Sequence, residues 1–88
     1  MKSPLRLALA DDQALVRRGL IALLNGIDGL DVALEADNGD DLLAQLAGAK
    51  VDVILSDIRM PACDGFTLVQ RLRTAGDETP VLLLTTFD

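Results

Sequence analysis

The chain of 88 residues has no histidine, tryptophan or tyrosine, and a single cysteine. With Cys63 alone and no imidazole, zinc-type ligand sets and an internal disulfide are both excluded. Aromatic content is limited to two phenylalanines, so Leu, Ile, Val and Ala must fill whatever core forms. Positive charge is also scarce: eight Lys and Arg stand against 14 Asp and Glu, for a net charge of −6. The basic residues are scattered, with only Arg17 and Arg18 adjacent, and that pair reads as a solvated charged face. Nucleic-acid binding by this chain itself is therefore not expected, because phosphate contacts need clustered Lys and Arg. No apolar run approaches the ~20 residues of a membrane helix. Acids arrive too early in MKSPLRLALADD for a signal peptide. The expected setting is soluble, reducing and cytoplasmic, with no membrane partner. The phosphate-binding pattern GxxxxGK[ST] is missing too, which removes the P-loop nucleotide hydrolases.

What the chain does have is an even supply of aliphatic residues, with half its length apolar. One small domain over residues 1–88 is the expected organisation. Such a chain buries only about 60–65% of the surface it exposes unfolded. Strand and helix periods alternate along it. LRLALAD puts Leu5, Leu7 and Leu9 on one face and Ala8 and Ala10 on the other, as a strand does. Leu15, Val16, Gly19, Leu20, Leu23 and Leu24 then recur at helical spacing, with an end expected near Asn25-Gly26. DVALEA reads as a second strand and DNGD as a turn, after which Leu42, Leu43, Leu46 and Ala47 predict a helix ending near Gly48. VDVILSD is the third strand. Phe66, Leu68, Val69 and Leu72 mark a third helix, closed by TAGDETP, and Pro80 opens the strand VLLLTT where its missing N–H does no harm. The order β-α-β-α-β-α-β with short connections implies right-handed crossovers and an α/β fold, a parallel sheet with helices on its faces.

In a parallel sheet the C-terminal ends of all strands share one edge, and ligand sites collect there. That rule brings together Asp11 and Asp12 from the first strand, Asp57 from the third, and Thr85 and Thr86 from the fourth. Crowded carboxylates repel, and a divalent cation removes the conflict. Oxygen-only ligation suits Mg²⁺, which uses one or two carboxylates together with phosphate oxygens. Singly, these residues have ordinary roles: Asp12 as a cap for the first helix, Asp64-Gly65 as a turn, the threonines as strand formers, and nearby Cys63 as a small loop residue rather than a reactive thiol. Their convergence at one edge carries the inference.

The stretches LALADDQALVRRGLIALL, ILSDIRMPACDGFTLVQRLR and PVLLLTTFD, at compatible spacing over nearly the whole chain, resemble the response-regulator receiver domain of two-component signalling. The wording most resembles receivers of NarL/LuxR-type transcriptional regulators. The resemblance implies a flavodoxin-like (CheY-like) sheet of order 2-1-3-4. It implies that Asp57 accepts a phosphoryl group from a sensor histidine kinase. Asp12 then ligates Mg²⁺ directly, Asp11 acts mainly through water, and Arg59 offers its backbone carbonyl. Thr85 corresponds to the hydroxyl that senses the phosphoryl group, and Thr86 to the neighbouring position that affects access to the site. Ala62-Cys63 stands where relatives commonly carry Gly and Met or a similar residue, a departure expected to be without functional consequence. The family's last helix–strand–helix portion, with its phosphoryl-pairing lysine, is not found after VLLLTTFD, and neither is an output domain. The chain is thus expected to be a partial receiver, with DNA reached only through an output domain elsewhere. Its fourth strand is expected to be an apolar edge, covered by homodimerisation or exchange of elements.

Two other readings compete. One is a receiver-like interaction or dimerisation module without effective phosphotransfer. The other is an aspartate-nucleophile phosphatase of the haloacid-dehalogenase type, which Arg59 disfavours by standing where a second Asp belongs. The expected protein is a switch that is labelled once, not an enzyme with turnover.

Overall fold

The computed structural model describes residues 3–85. Along them run β1 (Leu5–Ala10), α1 (Ala14–Asn25), β2 (Leu30–Ala36), α2 (Gly39–Leu46), β3 (Val53–Asp57), α3 (Gly65–Thr74) and β4 (Val81–Leu84). The strands form one parallel sheet in the order β2-β1-β3-β4, as expected. The strand order explains the burial. β1 and β3 lie inside the sheet, and Leu7 through Ala10 are buried on both faces.

Handedness sorts the helices. The crossover from β1 to β2 runs one way across the sheet, and those into β3 and β4 run the other way. Right-handed connections therefore put α1 on one face and α2 with α3 on the other. On the α2–α3 side, Ala8, Ala10, Ala36 and Ile54 pack against Leu42, Met60, Cys63, Leu68 and Leu72. Small alanines on the sheet let both helices approach closely. Cys63, far from being an ordinary loop residue, is fully buried in this cluster, and burial pushes its thiol up from the ordinary value. Its carbonyl accepts the Gly39 N–H at 3.1 Å, at the first residue of α2.

The face under α1 is thinner. α1 lies on β2 and β1, and its sheet-facing stripe is Arg17, Leu20, Ile21 and Leu24. This corrects the expected stripe, since Leu15 and Leu23 are 86% and 70% exposed. Beyond α1's reach, none of the described helices covers this face of the sheet. Leu9, Leu55 and Leu82 stand side by side across three strands. Their exposure grows from 0% at Leu9, through half-buried Leu55, to 57% at Leu82.

Several local expectations also change. α2 ends at Leu46, before Gly48. The N-cap of α1 is Gln13 and not Asp12, because the chain needs one more extended residue to leave the sheet edge. Asp64 is the N-cap of α3 and not merely a turn residue, its carboxylate accepting the Thr67 N–H at 2.8 Å. That bond holds the Asp64 carboxyl below its usual value. Ala62 has φ of 65°, a left-handed backbone that costs an alanine roughly 1–2 kcal/mol. The departure from glycine at this position therefore has a price in stability.

Candidate functional site

Three strand ends build the site. β1 carries Asp11 out of the sheet at the point where its N–H still bonds the Ala36 carbonyl of β2, at 3.1 Å. The chain then turns tightly, and the Asp11 carboxylate accepts the Gln13 N–H at 2.9 Å. Asp57 ends β3 in the same way, with its Oδ1 accepting the Arg59 N–H at 3.3 Å. Behind it, Ile58 donates to the Leu84 carbonyl of β4 at 3.1 Å, and Gly65 donates back to the Ile58 carbonyl at 2.9 Å. These bonds hold the β3–α3 turn against both neighbouring elements.

Asp11, Asp12 and Asp57 consequently converge, with one carboxylate oxygen from each lying within 4.8 Å of the others. Asp11 and Asp57 are buried, whereas Asp12 is open to solvent. The set is rigid on its inner side and accessible on its outer side. Thr85 and Asp57 line the same small cavity of about 180 Å³, together with Ile58 and Arg59. Thr86 lies outside the described residues. On the other flank, Asp12, Arg59, Met60, Pro61 and Phe66 line a broader, shallow depression.

The acids act on one another through Asp11. Burial, above all, raises the Asp11 carboxyl above its ordinary value of 3.8, and the charges of Asp57 and Asp12 add to the rise. The Gln13 N–H and Arg17 oppose it. A raised carboxyl binds its proton more readily in the folded chain than in the unfolded one. Its contribution to stability is therefore greatest on the acid side and is lost as pH rises through the folded value. Asp64 and Asp77, both lowered, act in the opposite sense, but only as pH falls below 3.8. In chelator, we expect the urea midpoint to fall as pH rises from 3.8 through the folded value of Asp11. Asp11→Asn should flatten that slope; a parent chain that grows more stable over this interval would contradict the account.

One contributor escaped the sequence reading. Arg17 is not a solvated charge: its side chain is only 17% exposed, and Nη1 donates to the Asp11 carbonyl at 2.8 Å while Nε donates to Glu35 at 3.2 Å. The available signal was its place near the start of α1, where a cation opposes the helix dipole and no acid sits in the first turn.

The comparisons with known proteins agree with this geometry. Residues 7–88 match the family model of the response regulator receiver domain. A transcriptional regulatory protein of Bacillus subtilis, YxjL, is 41% identical over 87 residues, which are 99% of this chain and 40% of that protein. A protein-glutamate methylesterase/protein-glutamine glutaminase of Anaeromyxobacter dehalogenans is 44% identical over 80 residues, covering 91% of this chain and 23% of that one. Among solved structures, the signal receiver domain of the response regulator NarL from Mycobacterium tuberculosis superimposes with a TM-score of 0.91 at 32% identity. That match takes in 99% of this chain and 70% of the solved one. The chain thus spans well under half the length of the curated relatives it matches. Among the described residues no helix is long and apolar enough to cross a membrane. Fold, acidic cluster and family match lead to one statement: this chain belongs to the response regulator receiver domain family.

Proposed function

We propose that this chain accepts a phosphoryl group on Asp57 from the phosphohistidine of a sensor histidine kinase, in a Mg²⁺-dependent transfer. The observation that carries the reading is the approach of three carboxylates at the C-terminal edge of the sheet, two of them buried. The all-oxygen donor set, with no His or Cys beside it, fits Mg²⁺ and not a softer metal. Asp12 and Asp57 are the direct ligands in this reading, with Asp11 acting through water and Arg59 offering its carbonyl. When bound, the ion offsets the negative charge of the acids and of the incoming phosphoryl group.

The chain's own residues supply positioning. Asp57 is the nucleophile: a carboxylate oxygen bonds to phosphorus as the donor's P–N bond breaks, and the electron pair leaves with the imidazole. The Arg59 N–H, at 3.3 Å from Oδ1, restrains the acceptor's rotation. Thr85 is suited to bond a phosphoryl oxygen, which would report phosphorylation to β4, and Thr86 would govern access. On this reading residues 1–88 are a phosphoacceptor module. It is labelled once and does not turn over. It acts on transcription in a longer protein through a DNA-binding output domain.

Intact mass after incubation with Mg²⁺ and a small-molecule phosphodonor tests the reading. One phosphoryl adduct per chain is expected, and turnover of the donor beyond that would favour an enzyme. A folded chain with no adduct would leave only an interaction module.

The partner proposal concerns the bare face. Leu82 and its neighbours Leu55 and Leu84 form an apolar strip at the β4 edge, and we assign its cover to a second copy of the chain. Light scattering during size exclusion should give a dimer at about 0.1 mM, and Leu82→Lys should return it to a monomer. A monomeric parent chain at that concentration would remove the proposal.

A further inference from the structure

We propose that Arg17 is a positioning residue for Mg²⁺ capture, aiming the Asp12 carboxylate by fixing the peptide that carries it. The inference rests on the reading of Asp11, Asp12 and Asp57 as the Mg²⁺ site.

Asp11 and Asp12 are held in different ways. The Asp11 carboxylate is buried and accepts the Gln13 N–H at 2.9 Å, so it has its own restraint. The Asp12 side chain is exposed, and none of the hydrogen bonds or ion pairs found among the described residues involves it. Its aim is therefore set by its backbone. The Asp11 carbonyl and the Asp12 N–H belong to one planar peptide unit, so a bond that fixes the carbonyl also fixes the rotation of the unit that leads into Asp12. That bond comes from Arg17 Nη1, at 2.8 Å.

Arg17 is itself anchored from behind. Its Nε donates to Glu35 at 3.2 Å, and the Glu35 carbonyl accepts from Gln45 of α2 at 2.7 Å. The guanidinium thus ties the β1–α1 turn to β2, and through β2 to the helix on the opposite face. A planar fork holds two such acceptors with separate donors in fixed directions, whereas a lysine has only one rotating ammonium to offer both. Its stem lies on the sheet-facing stripe of α1 with Leu20, Ile21 and Leu24, which limits its rotamers. Partners of this outer kind commonly change metal affinity by ten- to a hundredfold when removed.

The direction of the effect separates positioning from other roles. A cation close to a cation site opposes Mg²⁺ by charge, so if Arg17 acted by charge alone its removal would tighten binding. If it acted only in packing, stability would fall and affinity would stay the same. Positioning alone predicts weaker binding.

The test uses the full chain and Mg²⁺ as the probe, by calorimetric titration at fixed pH and ionic strength. Arg17→Met, which keeps much of the stem and loses the fork, should weaken the Mg²⁺ dissociation constant about tenfold. Arg17→Lys should lie between, at about threefold. Labelling of Arg17→Met by the small-molecule phosphodonor should return to within about twofold of the parent once Mg²⁺ is saturating, because the acceptor itself is untouched. Unchanged or tighter Mg²⁺ binding in a folded Arg17→Met chain overturns the proposal. Should that variant fail to fold, Arg17→Lys decides instead: it keeps the charge and loses the fork, so about threefold weaker binding is expected and unchanged or tighter binding overturns the proposal. A parent chain that binds no Mg²⁺ defeats the site reading itself, and this inference with it.

Discussion

Asp57→Asn should leave the chain folded and abolish labelling altogether, with no adduct where the parent chain gains one phosphoryl group. The substitution is nearly isosteric, and an amide oxygen can still accept the Arg59 N–H that meets Oδ1 at 3.3 Å. What disappears is the anionic nucleophile and one of the proposed metal ligands, so the loss is chemical and not architectural. In metal-free buffer the same change should stabilise the fold. Asp57 is one of the charges that raise Asp11, after burial, and the carboxylate oxygens lie within 4.8 Å of each other. Two unit charges at that separation repel by about 3 kcal/mol at an effective dielectric of 20. Solvent at the exposed edge and local relaxation reduce the expected gain to about 1 kcal/mol. Intact mass and urea unfolding in chelator measure both effects on the same sample. An adduct that persists on Asp57→Asn would move the acceptor elsewhere; a marked loss of stability would mean that the Asp57 charge has a partner and is not in conflict.

Much of this site was legible before any coordinates. The two-residue period of LRLALAD, the apolar run VDVILSD and the turn after each acid locate Asp11, Asp12 and Asp57 at strand ends, and parallel topology does the rest. The bare face at Leu82 was legible as well, because a non-alternating apolar strand at an edge needs cover on two sides. What stayed hidden depends on residues distant in sequence. Arg17 reads as solvated until β2 lies beside β1 and brings Glu35 next to it. Cys63 reads as a loop residue until α2 lies across it with Gly39 at the contact. The α1 stripe was misassigned because α1 has apolar residues on two faces. Periodicity finds such residues without saying which face meets the sheet, and it turned out to be the one with Arg17, Leu20, Ile21 and Leu24. Asp64 carried a usable cap signal directly before an apolar helical run, but the Asp-Gly pair also suits a turn, and only the bond to Thr67 decides.

Gly65→Ala should damage both the fold and the labelling at this edge. A Cβ at that position would stand 2.7 Å from the Asp57 carbonyl oxygen, 2.9 Å from Leu83 Cδ2 and 3.0 Å from the Ile58 Cα. Two of those atoms are backbone, so no rotamer change relieves the contact. Alanine gains up to about 1 kcal/mol over glycine in helix propensity. Against that, forcing a methyl into a filled space costs about 1–3 kcal/mol, and here one displaced atom is the Cα of Ile58, whose carbonyl accepts the Gly65 N–H. The steric term wins, and a net loss of about 2 kcal/mol is expected. The consequence for function exceeds the consequence for stability. The atom that must retreat belongs to Asp57 itself, and a shift near 1 Å in a positioned group can cost about a hundredfold in rate. Labelling should therefore slow by about ten- to a hundredfold at a temperature where the variant is still folded. Gly19→Ala is the matched control: nothing lies within 4 Å of its Cβ, and it sits inside α1. It should gain up to about 1 kcal/mol and label at the parent rate. If Gly65→Ala matched Gly19→Ala in both measurements, the close approach of α3 to the acceptor's backbone would not be what holds Asp57 in place.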